Sequence, residues 1–269
     1  MGETNFMIGE HKMIFAISDI HGHFGLMETR VNQIKPYLRE DNNKLILLGD
    51  YIDRGKSSFQ CLKAAFDLQN DFGEDKVIVL KGNHEVWFGD FLYENDDIWL
   101  VEDKNFRTSG TFLTEEQLEE LKRITDRDTR ISYIRENIVI NHNELMAWMR
   151  KLKMFYETET QIYVHAGVDE DIPKEEIEWC TWATPEYVLT GKYPATKGHF
   201  YKDIIAGHVA ASRVAGDRSF KGIYFDGESH YYIDGSTTRT HRLLCLVYDE
   251  EEKKYYEFME DGTFKKIGK

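Results

Sequence analysis

Apolar residues in this chain come in short unbroken runs, and each run stops at a loop of glycine, aspartate, asparagine and histidine. Met13-Ile14-Phe15-Ala16-Ile17 is the first run, Leu45-Ile46-Leu47-Leu48 the second and Val77-Ile78-Val79-Leu80 the third. Runs of this length bounded by turn formers predict strands buried on both faces. Helical stretches lie between them, about Phe24 to Tyr37 and about Ser58 to Asn70, and another starts at the loop containing Glu85. The strand pattern returns at Ile162-Tyr163-Val164 and at Asp203-Ile204-Ile205-Ala206. This β–loop–α rhythm predicts an α/β fold of parallel or mixed strands covered by helices. Periodicity alone would describe a doubly wound sheet, with ligands beyond the carboxyl ends of its strands.

Two regions break the rhythm. From about Asn95 to Arg150 the chain is rich in charge and helix formers, and Thr114 followed by Gln117 predicts a capping box. This stretch is expected to be a helical insertion or cap, its charged helices facing solvent or closing over a substrate. The last fifty residues alternate apolar and polar, with hairpin signals at Asp226-Gly227, Asp234-Gly235 and Asp261-Gly262.

Composition narrows the class. A chain of 269 residues that is 41% hydrophobic and 30% charged is expected to form one globular domain over residues 1–269, with the insertion at about 95–150. The net charge of -14 argues against a nucleic-acid scaffold. It leaves room for a phosphorylated substrate, because divalent ions in a cleft reverse the local field. Cys61, Cys180 and Cys245 are scattered and odd in number, which suits reduced, mostly buried thiols. No apolar run is long enough to cross a membrane, and the amino-terminal stretch lacks the features of a secretory leader. The expected address is the cytoplasm, with no membrane partner.

The chemistry sits where the apolar runs end. Asp19-Ile20-His21, Gly49-Asp50-Tyr51-Ile52-Asp53-Arg54-Gly55, Gly82-Asn83-His84-Glu85, His165-Ala166-Gly167 and Gly207-His208 each follow a predicted strand. Aspartate and asparagine also serve turns and helix caps, so one such loop would mean little. Five at strand ends converge on one rim of a sheet. Their carboxylates, amide and imidazoles suit manganese, zinc or iron, and soft thiolates are missing. Glu85 is expected to be structural. His11, His23, His142, His199, His230 and His241 fall outside these loops and are expected to have no part in the chemistry.

These segments resemble the signature of the PPP-type metallophosphoesterases: DxH, GDxxDRG, GNHE and two later histidines. Such proteins include bacterial serine/threonine protein phosphatases and diadenosine tetraphosphatase-like enzymes. GDYIDRGKS and GNHE stand intact and in order, and the resemblance runs from about Met13 to Tyr248. It implies a calcineurin-like fold, a central β-sandwich flanked by helices with metals at the strand ends. It also implies two divalent ions, manganese first, with iron or zinc as alternatives. Asp19 and His21 would hold one ion, Asp50 would bridge both, and Asn83, His165 and His208 would hold the other. A water between the ions would be the nucleophile. His84 would be the general acid, with Asp53 orienting its ring, and Arg54 and Asn83 would contact the phosphate.

The resemblance thins in two places. Many bacterial relatives carry a tryptophan followed closely by a phosphate-binding arginine between the late histidines. Here the corresponding stretch, Trp179-Cys180-Thr181-Trp182-Ala183-Thr184-Pro185-Glu186-Tyr187, has no arginine. Arg213 or Arg239 could replace it by position. Gly207-His208-Val209-Ala210 also departs from the usual GHT, although the histidine remains. The implied activity is hydrolysis of phosphate monoesters, with phosphoserine and phosphothreonine in proteins as the first substrate class. A dinucleoside polyphosphate such as diadenosine tetraphosphate is the second. A catalytically silent binding module on the same fold is the alternative of another class.

Overall fold

Strands β1 (Met13–Ile17), β2 (Lys44–Leu47) and β3 (Val77–Val79) pair in parallel, with Phe15 opposite Leu45 and Leu45 opposite Val77. Helices α1 (Phe24–Leu38) and α2 (Ser58–Phe72) make the crossovers, and α3 (Asn83–Tyr93) follows β3 directly. On the other side of β1 the sheet continues antiparallel through β9 (Leu246–Asp249), β10 (Lys254–Phe258) and β11 (Phe264–Ile267). A second sheet has the order β4 (Phe155–Glu157), β5 (Gln161–Val164), β6 (Asp203–Ala206), β8 (His230–Tyr232) and β7 (Tyr224–Phe225). Within it β5, β6 and β8 are again a parallel trio. The computed structural model describes residues 12–40 and 42–268. His11 and the amino-terminal stretch read for a leader lie outside them.

The unbroken apolar runs are explained by what lies on each side of them. One layer joins Ile14, Ala16, Ile46, Leu48, Ile78 and Leu80 of the first sheet to Tyr163, Ile205 and Tyr231 of the second. The alternate residues Phe15, Ile17, Leu45 and Leu47 face the other way, toward Met27, Ile34, Leu62 and Phe88 on the helices. The outer face of the second sheet packs Ile162, Val164 and Ile204 against Cys180 and Leu189 of short helices. The core is therefore a β-sandwich with helices on both outer faces. Face-to-face packing replaces the single doubly wound sheet that periodicity alone describes, because two antiparallel wings give each sheet its own boundary.

Between Asn95 and Arg150 the chain forms three short 3-10 segments and then helices α4 (Glu115–Arg123), α5 (Arg127–Asn141) and α6 (Asn143–Arg150). The Thr114 hydroxyl accepts from Gln117 N and the Gln117 side chain accepts from Thr114 N, which is the expected capping box. Trp99, Phe112, Leu121, Ile134 and Met146 of this stretch belong to the layer between helices and first sheet. The hairpin signals hold at Asp226-Gly227, between β7 and β8, and at Asp261-Gly262, between β10 and β11. Asp234-Gly235 forms no hairpin and leads into the turn Thr237–Thr240. Cys61, Cys180 and Cys245 are buried and unbridged. Among the described residues no helix is long and apolar enough to cross a membrane.

Candidate active site

The two parallel trios end at the same edge of the sandwich. Asp19 and His21 follow β1, Asp50 follows β2, and Asn83 and His84 open α3 after β3. His165 follows β5 and His208 follows β6. Parallel strands expose their last carbonyls and the following loop on one side, so six carboxyl ends deliver their polar side chains to one place. The chain turns sharply to do so. Asp19, His21, Asp50, Asp53, Arg54 and His208 all have φ between 47° and 70°. Asparagine, aspartate and histidine tolerate this left-handed region better than most residues.

Glycine permits the closest approaches. A Cβ on Gly82 would collide with Asp50 Oδ1 and N, and one on Gly207 would collide with Ser18 Oγ and Asp19 Oδ2. Glu85 ties the loops together. Its carboxylate accepts from Asp50 N at 2.8 Å, Tyr51 N at 2.8 Å, Ile52 N at 3.3 Å and Gly82 N at 3.0 Å. It is structural, as expected from the sequence.

At the centre lies Asp50, buried. Its Oδ2 is 3.4 Å from His21 Nε2 and 3.8 Å from His84 Nε2, while Oδ1 is 3.4 Å from His165 Nε2. Asp19 Oδ1 is 3.8 Å from His21 Nε2, and its Oδ2 accepts from Ser18 Oγ at 2.6 Å and His208 N at 3.0 Å. Asn83 Oδ1 lies 3.1 Å from His165 Nε2 and 3.0 Å from His208 Nδ1. Among the described residues two groups of donor atoms fit within 4.8 Å: His21, Asp50 and His84, and Asp50, His165 and His208. Asp50 belongs to both.

The donor set fits cations. His21 Nδ1 faces Ile52 O at 3.0 Å and His165 Nδ1 faces Leu48 O at 2.9 Å, which turns both Nε2 atoms inward. Backbone carbonyls commonly orient ligating imidazoles in this way. His21 Nε2 is buried and has no hydrogen-bond partner. A buried polar atom left open between two carboxylates needs a partner, and a divalent ion supplies one. Burial pushes the rings of His21 and His208 down to about 4, leaving lone pairs available for ligation. Burial would raise Asp50, but His165, His84 and His21 beside it hold its carboxyl well below the usual range.

His84 and Asp53 form a second unit. His84 Nδ1 is 2.6 Å from Asp53 Oδ2. Burial would depress the His84 ring, yet Asp50 and Asp53 together hold it up at about 9. Asp53 is fully buried and has two further donors, Trp99 Nε1 at 3.0 Å and Thr108 Oγ1 at 2.6 Å. Thr108 is held in turn by Asp103, which accepts from Thr108 N and Ser109 N. Arg54 stands exposed at the rim, its Nη2 3.4 Å from His84 Nε2.

Every candidate from the sequence reaches this edge. Three residues escaped the sequence reading. Trp99 and Thr108 come from the region of charged helices, with no local pattern to mark them. Asp234 was read as a hairpin residue. It follows β8, the third strand of the second trio, and is buried close enough to Asp19 and Asp50 to feel their charge. A carboxylate after the apolar Tyr231-Tyr232-Ile233 was the signal available for it.

Comparison with known proteins gives the family and the fold. The model of the calcineurin-like phosphoesterase family matches residues 12–231. Serine/threonine-protein phosphatase 2 of Salmonella typhimurium is 31% identical over 97 residues, covering 33% of this chain and 40% of that protein. The protein of the same name from Escherichia coli K12 is 29% identical over 92 residues, 34% of this chain and 38% of the relative. An uncharacterised protein of Caenorhabditis elegans is 36% identical over 85 residues, 29% and 33% of the two chains. The chain thus spans between a third and two fifths of these relatives. Among solved structures, the cold-active protein-tyrosine phosphatase of a psychrophilic Shewanella superposes with a TM-score of 0.56 at 15% identity, over 96% of this chain and 80% of that one. A protein provisionally named a diadenosine tetraphosphatase superposes with a TM-score of 0.54 at 14% identity, over 93% and 95%. At these identities the structures share the fold.

Proposed function

The chain belongs to the calcineurin-like phosphoesterase family, and on that premise we propose that it is a metal-dependent hydrolase of phosphoric esters. The observation that carries the proposal is the open, buried Nε2 of His21 between the carboxylates of Asp19 and Asp50. Two ions, manganese first and iron or zinc as alternatives, would be held by Asp19, His21, Asp50, Asn83, His165 and His208. Asp50 is suited to bridge, because its two oxygens face histidines of different loops. Bound ions supply Lewis acidity to the phosphoryl oxygens and lower the pKa of a neighbouring water.

The chain's own residues do the rest. Arg54 places a planar fork at the rim, where it binds non-bridging oxygens. Asn83, at the start of α3, contacts the same group. With Nδ1 held by Asp53, His84 presents Nε2 to the leaving oxygen and gives it a proton as the P–O bond breaks. The water's oxygen ends on phosphorus, and the proton it releases restores His84. Trp99 and Thr108 fix Asp53 from behind, so the stretch from 95 to 150 is a buttress of one phosphoesterase domain.

These groups select the phosphoryl centre more than its attachment. Phosphoserine and phosphothreonine in proteins are the first reading, in line with the relatives named protein phosphatases. A dinucleoside polyphosphate is the second, and an arginine-lined cleft beside the site favours it. The test uses p-nitrophenyl phosphate and manganese-loaded protein. His84→Asn should lower kcat by roughly 10²–10⁴-fold while retaining its metal content. A wild type with no hydrolysis, or a variant equal to it, would leave a silent binding module as the better description.

A further inference from the structure

Between β5 and β6 the chain crosses the outer face of the second sheet through the 3-10 segment Lys174–Trp179 and the short helices α7 (Cys180–Ala183) and α8 (Glu186–Gly191). This is the stretch that lacks an arginine between the two late histidines. Cys180 and Thr181 turn inward: Cys180 joins Ile162, Val164 and Ile204 in the core, and Thr181 Oγ1 donates to Glu157 at 3.1 Å. Trp179 and Trp182 on either side of them turn outward, 63% and 74% exposed. Tyr187 on α8 is 76% exposed. The other three tryptophans of the chain, Trp87, Trp99 and Trp148, are buried or half-buried. Trp182 is also held in place, its ring T-shaped against Phe155 of the edge strand β4 with 5.1 Å between centroids.

The charge around these rings has one sign. From Asp169 to Gly191 the sequence holds seven carboxylates and one lysine. Glu176 and Glu178 are exposed and, among the described residues, make no ion pair. Positions three or four apart share a helix face, which sets Trp179 beside Trp182, Glu176 beside Trp179 and Glu178 beside Trp182. Nearby cations are already engaged, Lys202 with Glu157 and Lys192 with Glu170. An indole face attracts a cation, and a carboxylate at its edge takes the charged head while the aliphatic stem covers the ring. The sign of the charge selects the occupant. Nucleic acid and anionic membranes are repelled. A second copy on a two-fold axis would set these carboxylates against themselves. A basic polypeptide is attracted by rings and carboxylates alike.

We propose that Trp179 and Trp182, flanked by Glu176 and Glu178, form a docking surface for an arginine- or lysine-rich segment of a partner protein. Basic side chains lay their stems on the two indoles and place their heads against the glutamates. None of these residues belongs to the strand-end loops, so the proposal does not depend on the phosphoesterase reading.

The probe is a fluorescein-labelled peptide of alternating arginine and glycine, with one of alternating glutamate and glycine as control. Each is titrated with the full chain at physiological salt and read by fluorescence anisotropy. The wild type should bind the basic peptide and ignore the acidic one. Trp179→Ala and Trp182→Ala should each weaken binding by about three- to thirtyfold. Glu176→Gln and Glu178→Gln should each weaken it by about two- to fivefold. Glu115→Gln removes an exposed carboxylate on α4, on the side of the first sheet, and should leave binding unchanged. Because Trp182 also braces β4, Trp179→Ala decides the outcome if Trp182→Ala lowers the melting temperature. No binding by the wild type, undiminished binding by Trp179→Ala, or an equal loss in Glu115→Gln would overturn the proposal, the last two marking attraction by net charge alone. A dimer in sedimentation that Trp179→Ala dissolves would assign the patch to a second copy. Phosphatidylcholine vesicles that bind the wild type but not Trp179→Ala would assign it to a lipid surface, and either result would overturn the proposal.

Discussion

Each residue of the site answers to two demands, the backbone turn it makes and the atom it presents. Twelve non-glycine residues among those described have positive φ, and six of them are Asp19, His21, Asp50, Asp53, Arg54 and His208. Each such conformation costs of order 1 kcal/mol and persists because the surroundings hold it. Glu85, with four backbone N–H groups on its carboxylate, is one such holder. Trp99 plays the same part for Asp53. Trp99→Phe keeps a buried aromatic ring but removes the N–H that Asp53 accepts, together with the five-membered ring that carries it. It should lower kcat on p-nitrophenyl phosphate by roughly tenfold, from loss of a hydrogen bond to a charged group. Metal content should stay at the wild-type level, and an unchanged kcat would show that Trp99 only fills space.

At the scale of elements, strand ends were legible and their partners were not. An apolar run followed by Asp, His or Asn marks the end of β1, β2, β5 and β6 wherever those strands come to lie. Asp234 obeys the same rule after β8, but Asp-Gly also belongs to hairpins, and only its neighbours in space separate the two meanings. His230 on β8 is another case. It was expected to have no part in the chemistry, and it serves the second sheet, with Nδ1 3.0 Å from Asp226 and Nε2 3.1 Å from Glu170. Burial would lower its pKa, but Glu170 and then Asp226 raise it above the ordinary 6.5. The charged ring therefore contributes its full stability below about pH 6.5 and loses it as pH rises through the raised value. His230→Gln should cost about 1–3 kcal/mol at pH 6 and progressively less in alkali. Urea unfolding of both proteins at pH 6 and pH 9 measures this, and a gap independent of pH would refute it.

For the molecule as a whole, the two sheets stack so that both parallel trios end at one edge, and acidic groups accumulate there. Asp19, Asp50, Asp53 and Asp234 are all buried close to that edge. Buried carboxylates repel one another when no cation balances them. A chelator should therefore abolish hydrolysis and also lower the melting temperature. Added manganese should restore both, the melting temperature rising with the logarithm of free metal once the site is saturated. Melting curves recorded with and without chelator test it, and superimposable curves would mean that no ion links these loops. The net charge of -14 disfavours phosphorylated ligands only on average. The arginine cleft reverses the sign locally, where the field is concentrated.

By itself the sequence determined the strand-and-helix order, the loops at the strand ends and which polar side chains those loops carry. Those follow from local rules: apolar runs bury, and glycine and aspartate turn the chain. Only the tertiary structure decided that two sheets face each other, that Trp99 and Thr108 reach Asp53 from a distant stretch, and that Arg213, Arg218 and Arg239 share a cleft. These depend on how separate elements come to lie in space, and their energy comes from packing and charge in three dimensions, which no run of neighbouring residues encodes.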